Sequence, residues 1–132
     1  MSATVIPTVR YRDAQAAIEY LQNVFGFQAR MVVEGEGDII EHAQLIHGTG
    51  MVMVSSIQAN EYQEAADDGR DPTGRGAVYV VIDDVDAHAA RARSYGAHIF
   101  MEPEEQDYGG SVYSLRDHEG NLWSFGSYDP WS

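Results

Sequence analysis

Without cysteine, any nucleophilic, acid–base or metal chemistry in this chain falls to its histidines, carboxylates and serines. The five histidines are His42, His47, His88, His98 and His118. His42 and His47 share one predicted strand, but their five-residue separation puts them on opposite faces, a poor geometry for a common ligand. His88 falls on a predicted helix, His98 opens a strand and His118 sits in a turn. These three and His47 read as structural or surface residues. His42 is kept as a candidate lining residue beside Gln44, on a strand face shared with Ile40 and Ile46. Asp83, Asp84 and Asp86 resemble a catalytic cluster, yet aspartate at a helix start is explained by capping and the helix dipole. Glu102, Glu104, Glu105 and Asp107 read as a solvated acidic loop. Tyr108-Gly109-Gly110 has no following helix to bind phosphate. Ser124 has no histidine spaced to activate it. No catalytic residue, metal or cofactor is therefore assigned.

The elements that must position these groups are organised around Asp117–Tyr128, DHEGNLWSFGSY. A polar turn containing Gly120 leads into a strand with two unlike faces. Trp123 and Phe125 can seal a core on one face, while Leu122, Ser124 and Gly126 leave space on the other. Upstream, Thr4–Tyr11 reads as a strand and Asp13 as a helix cap. Ala14, Ala17, Ile18, Leu21 and Phe25 form a helical apolar stripe that ends at Gly26. Strands follow at Phe27–Glu34, Ile39–His47 and Met51–Ser55. Gln58–Ala66 suggests a short helix before a polar, glycine-rich linker. The order then restarts with a strand at Ala77–Ile82, a cap at Asp83-Asp84, an alanine-rich helix with Val85, Ala89, Ala92 and His88 inward, and a stop at Gly96. Strands at His98–Met101, Ser111–Arg116 and Leu122–Tyr128 complete it, with an acidic loop at Glu102–Gly110.

The order strand–helix–strand–strand–strand thus occurs twice. The caps are offset by 84 − 13 = 71 and the stops by 96 − 26 = 70. The expected fold class is α+β, one domain spanning 1–132, with module 1 at about 1–56, a linker at about 57–76 and module 2 at about 77–132. Each half has one helix to cover one face of its strands, so the other face needs a further partner. Eight Lys and Arg against 21 Asp and Glu give a net charge of −13. Such a chain repels phosphate backbones and anionic membranes and attracts cations. No apolar run approaches the roughly 20 residues of a membrane span. The N-terminus has no basic region followed by an apolar run, so no signal peptide is expected and the cytoplasm is the expected compartment.

Ile6–Phe27, Val80–Ala97 and Asp117–Tyr128, in that order and spacing, resemble the vicinal-oxygen-chelate superfamily of glyoxalases, extradiol dioxygenases and bleomycin-type resistance proteins. The resemblance implies two βαβββ modules forming cupped mixed sheets around a cavity, with helices outside and a dimer whose modules can be exchanged. It also implies four metal-ligand positions, one on the first and one on the last strand of each module. Here those positions fall on Ile6, Met53 or a neighbour, Ala77 and Ser124, where the family's enzymes carry His, Glu or Gln.

With metal catalysis in doubt, the cavity itself is the candidate site. Ile6 and Thr8, Met51 and Met53, Ala77 and Tyr79, and Leu122 and Ser124 share the parity of the ligand positions. Phe100 and Tyr113 are candidates for a wall, and His42 and Gln44 for a polar patch. Few polar groups among apolar and aromatic surface is how small-molecule pockets are built. The expected function is metal-independent binding of a planar aromatic, neutral or cationic small molecule by a homodimer, in the manner of drug-sequestering resistance proteins. A glyoxalase-like lyase or isomerase, or a dioxygenase, with an unidentified metal site is the competing class, and a protein–protein module is a third.

Overall fold

The computed structural model describes residues 4–59 and 76–132. The expected helix at Gln58–Ala66 and the linker lie largely outside the described residues. The chain forms two compact units, the first from 4–22 and 26–59 and the second from Asn23–Phe25 and Gly76–Ser132.

In the first module β1 (Thr8–Tyr11) leads to α1 (Ala14–Tyr20), a π-helical turn (Leu21–Phe25), and β2 (Gln28–Glu34), β3 (Ile40–His47) and β4 (Gly50–Ser56). The second repeats this order with β5 (Val78–Val81), α2 (Val85–Ser94), β6 (Ile99–Glu105), β7 (Ser111–Arg116) and β8 (Leu122–Gly126). The sheets run β1-β4-β3-β2 and β5-β8-β7-β6, with the first strand parallel to the last in each. A parallel pair needs a crossover, and the helix supplies it. This is the expected α+β fold of two βαβββ modules.

Both helices start as the sequence implies. Asp13 and Asp84 each accept a hydrogen bond at 3.0 Å from the backbone three residues on, at Ala16 and Ala87. Gly26 and Gly96 end them in the left-handed region, at φ 86° and 85°, where a side chain would be strained. The strand registers carry the repeat further. Thr8 pairs with Met53 and Tyr79 with Ser124, so both members shift by 71 (79 − 8 and 124 − 53).

Each sheet buries the face that meets its helix. In the first, Val9, Tyr11, Ala43, Leu45, Val52 and Val54 pack beneath Ala14, Ala17 and Leu21. In the second, Tyr113, Leu115, Trp123 and Phe125 pack beneath Val85, Ala89 and Ala92. Removing each large side chain from water contributes about 1.5–3 kcal/mol. Phe25 joins this second core, with ring centroids 5.2 Å from Trp123 and 4.8 Å from Phe125.

Two expectations about strands need correction. The acidic stretch is not all loop, because β6 continues through Pro103 to Glu105, and the tight turn is confined to Gln106–Gly110. β6 is an edge strand with two register shifts, so Pro103 can lack a donor without breaking a ladder. Ile40 does not share a face with His42 and Gln44. The pairing shifts from Val33↔His42 to Glu34↔Ile40, which makes Glu41 an extra residue and turns Ile40 into the core at 1% exposure.

Candidate functional site

Most of the candidate lining residues fall on, or lead into, the helix-free faces of the two sheets. On the first sheet, strand pairing sets up a row: Thr8 beside Met53, Met53 beside Gln44, Gln44 beside Met31. Met51 lies one step along, opposite Ile46. Met51, Met53, His42 and Gln44 are half-buried, and Thr8 and Ile6 are exposed. Ile6 precedes β1. The two polar groups are linked, since Arg30 Nη1 donates to Gln44 Oε1 at 2.5 Å and Gln44 Nε2 lies 3.0 Å from His42 Nε2. His47 is on the opposite face, its ring edge-on to Phe27 at 5.2 Å.

On the second sheet, Tyr79, Ser124 and Ser114 form the corresponding row. Ser114 Oγ and Ser124 Oγ are 2.6 Å apart, so the Ser124 hydroxyl already has a partner. Tyr79 is 41% exposed and fixed at the hydroxyl end of its ring. Its hydroxyl end lies against Gly126, where a Cβ would strike the oxygen, and the hydroxyl donates to the Tyr128 carbonyl at 2.7 Å. Tyr128 packs edge-on to Tyr108 with centroids 4.8 Å apart. Partial burial, with a smaller contribution from Tyr108, raises the Tyr79 pKa above its ordinary value. Leu122 is half-buried opposite Arg116, whose guanidinium sits 5.8 Å over the exposed Phe100 ring. Ala77 is exposed just before β5.

Tyr113 is not with them. It pairs with Phe125 across β7 and β8, so it shares the helix-side face and is fully buried. There its hydroxyl lies 2.5 Å from His88 Nδ1, while His88 Nε2 is 2.8 Å from the Phe25 carbonyl. A carbonyl only accepts, so Nε2 carries a proton, and in the neutral ring Nδ1 accepts from Tyr113. Arg91 Nε donates to the Asn23 carbonyl at 3.0 Å. These two side chains satisfy carbonyls that the π-helical turn leaves without helical partners. An imidazole in an alanine stripe was the sequence signal for this role, but its partners are remote in the chain.

Asp117, expected only as part of a turn, is buried and holds three donors: the Glu119 and Asn121 amides on Oδ1 and Trp123 Nε1 on Oδ2, all at 3.0 Å. The turn thereby positions the strand that carries Ser124.

The donor set does not fit the divalent ion used by the family's enzymes. Ile6 and Ala77 offer no lone pair, Met53 offers a soft thioether, and the Ser124 hydroxyl is engaged by Ser114. Among the described residues, no three His, Asp or Glu side chains converge in a way that could hold a metal. No described helix is long and apolar enough to cross a membrane.

The sequence profile of the Glyoxalase/Bleomycin resistance protein/Dioxygenase superfamily matches residues 4–125, and the chain belongs to that superfamily. The solved structure of TioX from Micromonospora sp. ML1 is 30% identical, with 95% of this chain and 98% of that one covered at a TM-score of 0.75. The lactoylglutathione lyase of Agrobacterium tumefaciens is 20% identical, with 96% and 93% covered at a TM-score of 0.68. The fosfomycin resistance protein FosX of Listeria monocytogenes is 13% identical, with 99% and 97% covered at a TM-score of 0.68. The latter two share the fold. No curated protein matches the chain.

Proposed function

We propose that this protein is a metal-independent small-molecule-binding member of the superfamily, of the drug-sequestering kind represented by its resistance proteins, and that it works as a homodimer in the cytoplasm. The observation that carries the reading is the chemistry of the two helix-free faces. They present thioethers and a fixed tyrosine ring with a few oriented polar atoms, and the four family ligand positions hold Ile6, Met53, Ala77 and Ser124. Methionine adapts to irregular ligands, and aromatic faces suit stacked rings and cations. The net charge of −13 raises the local concentration of cations. The ligand is therefore planar or largely aromatic, and neutral or cationic.

Dimer formation is supported by half-exposed apolar side chains on two of the four edge strands, Met31, Val32 and Val33 on β2 and Phe100 and Met101 on β6. Light scattering is expected to give twice the 14.6 kDa chain mass, and a monomer at micromolar concentration contradicts it. Binding is tested by calorimetry of chelator-treated protein against a panel of planar aromatic drugs. Saturable binding is expected without metal. A near-stoichiometric metal whose removal abolishes binding and an accompanying turnover would favour the lyase, isomerase or dioxygenase class instead.

A further inference from the structure

The side-chain chain across β2 and β3 has a direction that elementary chemistry fixes. Arginine can only donate, so the Gln44 atom at Arg30 Nη1 is the amide oxygen. The other amide atom, facing His42 Nε2 at 3.0 Å, is then the NH2 group, which only donates. His42 Nε2 must accept, and the imidazole proton is placed on Nδ1. Flipping the amide would set NH2 against the guanidinium. Among the described residues no hydrogen bond engages His42 Nδ1, and the half-buried His42 lies opposite Val33 and two residues along from Gln44, on the helix-free face that also carries Met53 and Met31, the strand partners of Gln44.

From this we infer that His42 is a ligand-recognition residue that presents an Nδ1–H donor, and that the first module selects ligands carrying a hydrogen-bond acceptor, a carbonyl or a ring nitrogen, on their aromatic frame. Arg30 and Gln44 are positioning residues that set the tautomer. The inference rests on the proposed small-molecule function and specifies its ligand class. The thioethers of Met31 and Met53, on either side of Gln44, receive the apolar frame, and the single oriented donor distinguishes one frame from another. Because an unmatched donor in a half-buried site disfavours the wrong ligand more than a matched one favours the right one, selection by rejection is the expected mode.

The first test reads the tautomer directly. In full-length protein labelled with 15N-histidine, at about pH 8 where an ordinary imidazole is neutral, His42 is expected to show a protonated Nδ1 and a bare Nε2. Gln44→Glu places an acceptor against Nε2 and is expected to reverse the assignment with the fold intact, whereas Arg30→Met frees the amide to flip and gives a mixture. A protonated Nε2 in the native protein overturns the inference.

The second test uses three probes on one skeleton: 1-indanone with a carbonyl, indane without one, and 1-aminoindane as the cation. 1-Indanone is expected to bind roughly ten-fold more tightly than indane, as for one hydrogen bond in a partly dry site, and to shift the His42 Nδ1 resonance. His42→Phe and Gln44→Glu are expected to abolish that preference, bringing the ratio of the 1-indanone and indane affinities close to one. Equal affinity for 1-indanone and indane sinks the inference but leaves the binding function standing. Binding of none of the three, with the aromatic panel also silent, sinks both.

Discussion

The two modules place their single-residue differences at different points. From cap to helix stop the offset falls from 84 − 13 = 71 to 96 − 26 = 70, and the first module carries the extra residue as the π-helical turn Leu21–Phe25. From the third to the fourth strand the offset returns from 114 − 44 = 70 to 124 − 53 = 71, and the second module carries the extra residue in the turn Asp117–Asn121. At both places a side chain takes up the displaced backbone groups. His88 and Arg91 donate to the carbonyls of Phe25 and Asn23, and Asp117 accepts from the amides of Glu119 and Asn121. The first-to-last and third-to-last strand pairs keep one register in both modules, whereas the outer pairs differ, with the extra residue on β3 at Glu41 in the first module and on β6 between Met101 and Glu104 in the second. The repeat has therefore diverged where side chains could satisfy the backbone and along its edge strands, and its inner ladders have been left alone.

The comparison breaks most severely if the second core is opened. Trp123→Ala removes the ring that packs against Phe25 and leaves an Asp117 oxygen without its donor, and it is expected to cost about 3–5 kcal/mol in denaturant unfolding. The same substitution should leave ligand contacts on the opposite strand face in place, so a variant that stays folded but loses all binding would contradict the division of faces.

A smaller loss is expected where the π-helical turn meets α2. His88→Leu keeps the volume but strands the Phe25 carbonyl and the Tyr113 hydroxyl, at a cost of about 1–3 kcal/mol for buried groups left unpaired. An unchanged melting midpoint would mean that the π-helical turn does not depend on the second module's helix.

The smallest effect is a titration that should appear on the second helix-free face. The folded pKa of Tyr79 is raised above 10.0, chiefly by burial. The folded state thus favours the neutral phenol. Its stabilising contribution is complete below the unfolded value near 10 and is lost as pH rises through the higher folded value. Ultraviolet absorbance of the phenolates is expected to show a late-titrating tyrosine that Tyr79→Phe removes. Loss of an early step instead would reverse the assignment.

Much of this organisation could be read from residue types. The caps, the stops, the alternation of β4 and β8 and the two-module order follow from short-range chemistry that acts within a few residues. What was not legible depends on pairing between strands. A bulge adds a residue without changing composition, so nothing local showed that Glu41 would turn Ile40 inward or that β6 would run on through Pro103. Tyr113 went to the wrong face because its side is set by being opposite Phe125, a register that its own strand does not specify. His88 and Asp117 show the same limit. Their residue types marked a helix stripe and a turn, but Phe25 and Tyr113 lie 63 and 25 residues away from His88, and the Asp117–Trp123 bond depends on the fold of the turn between them.

The central claim is that the helix-free faces bind a planar aromatic molecule without a metal. Calorimetric titration of chelator-treated wild type and Tyr79→Ala against the aromatic panel tests it most directly. The account predicts saturable binding of a neutral or cationic aromatic ligand to the metal-free wild type, weakened roughly ten-fold or more in the variant while its thermal melt is retained. Binding that appears only when a divalent ion is restored, a small anion as the tightest ligand, or an affinity untouched by Tyr79→Ala would contradict it.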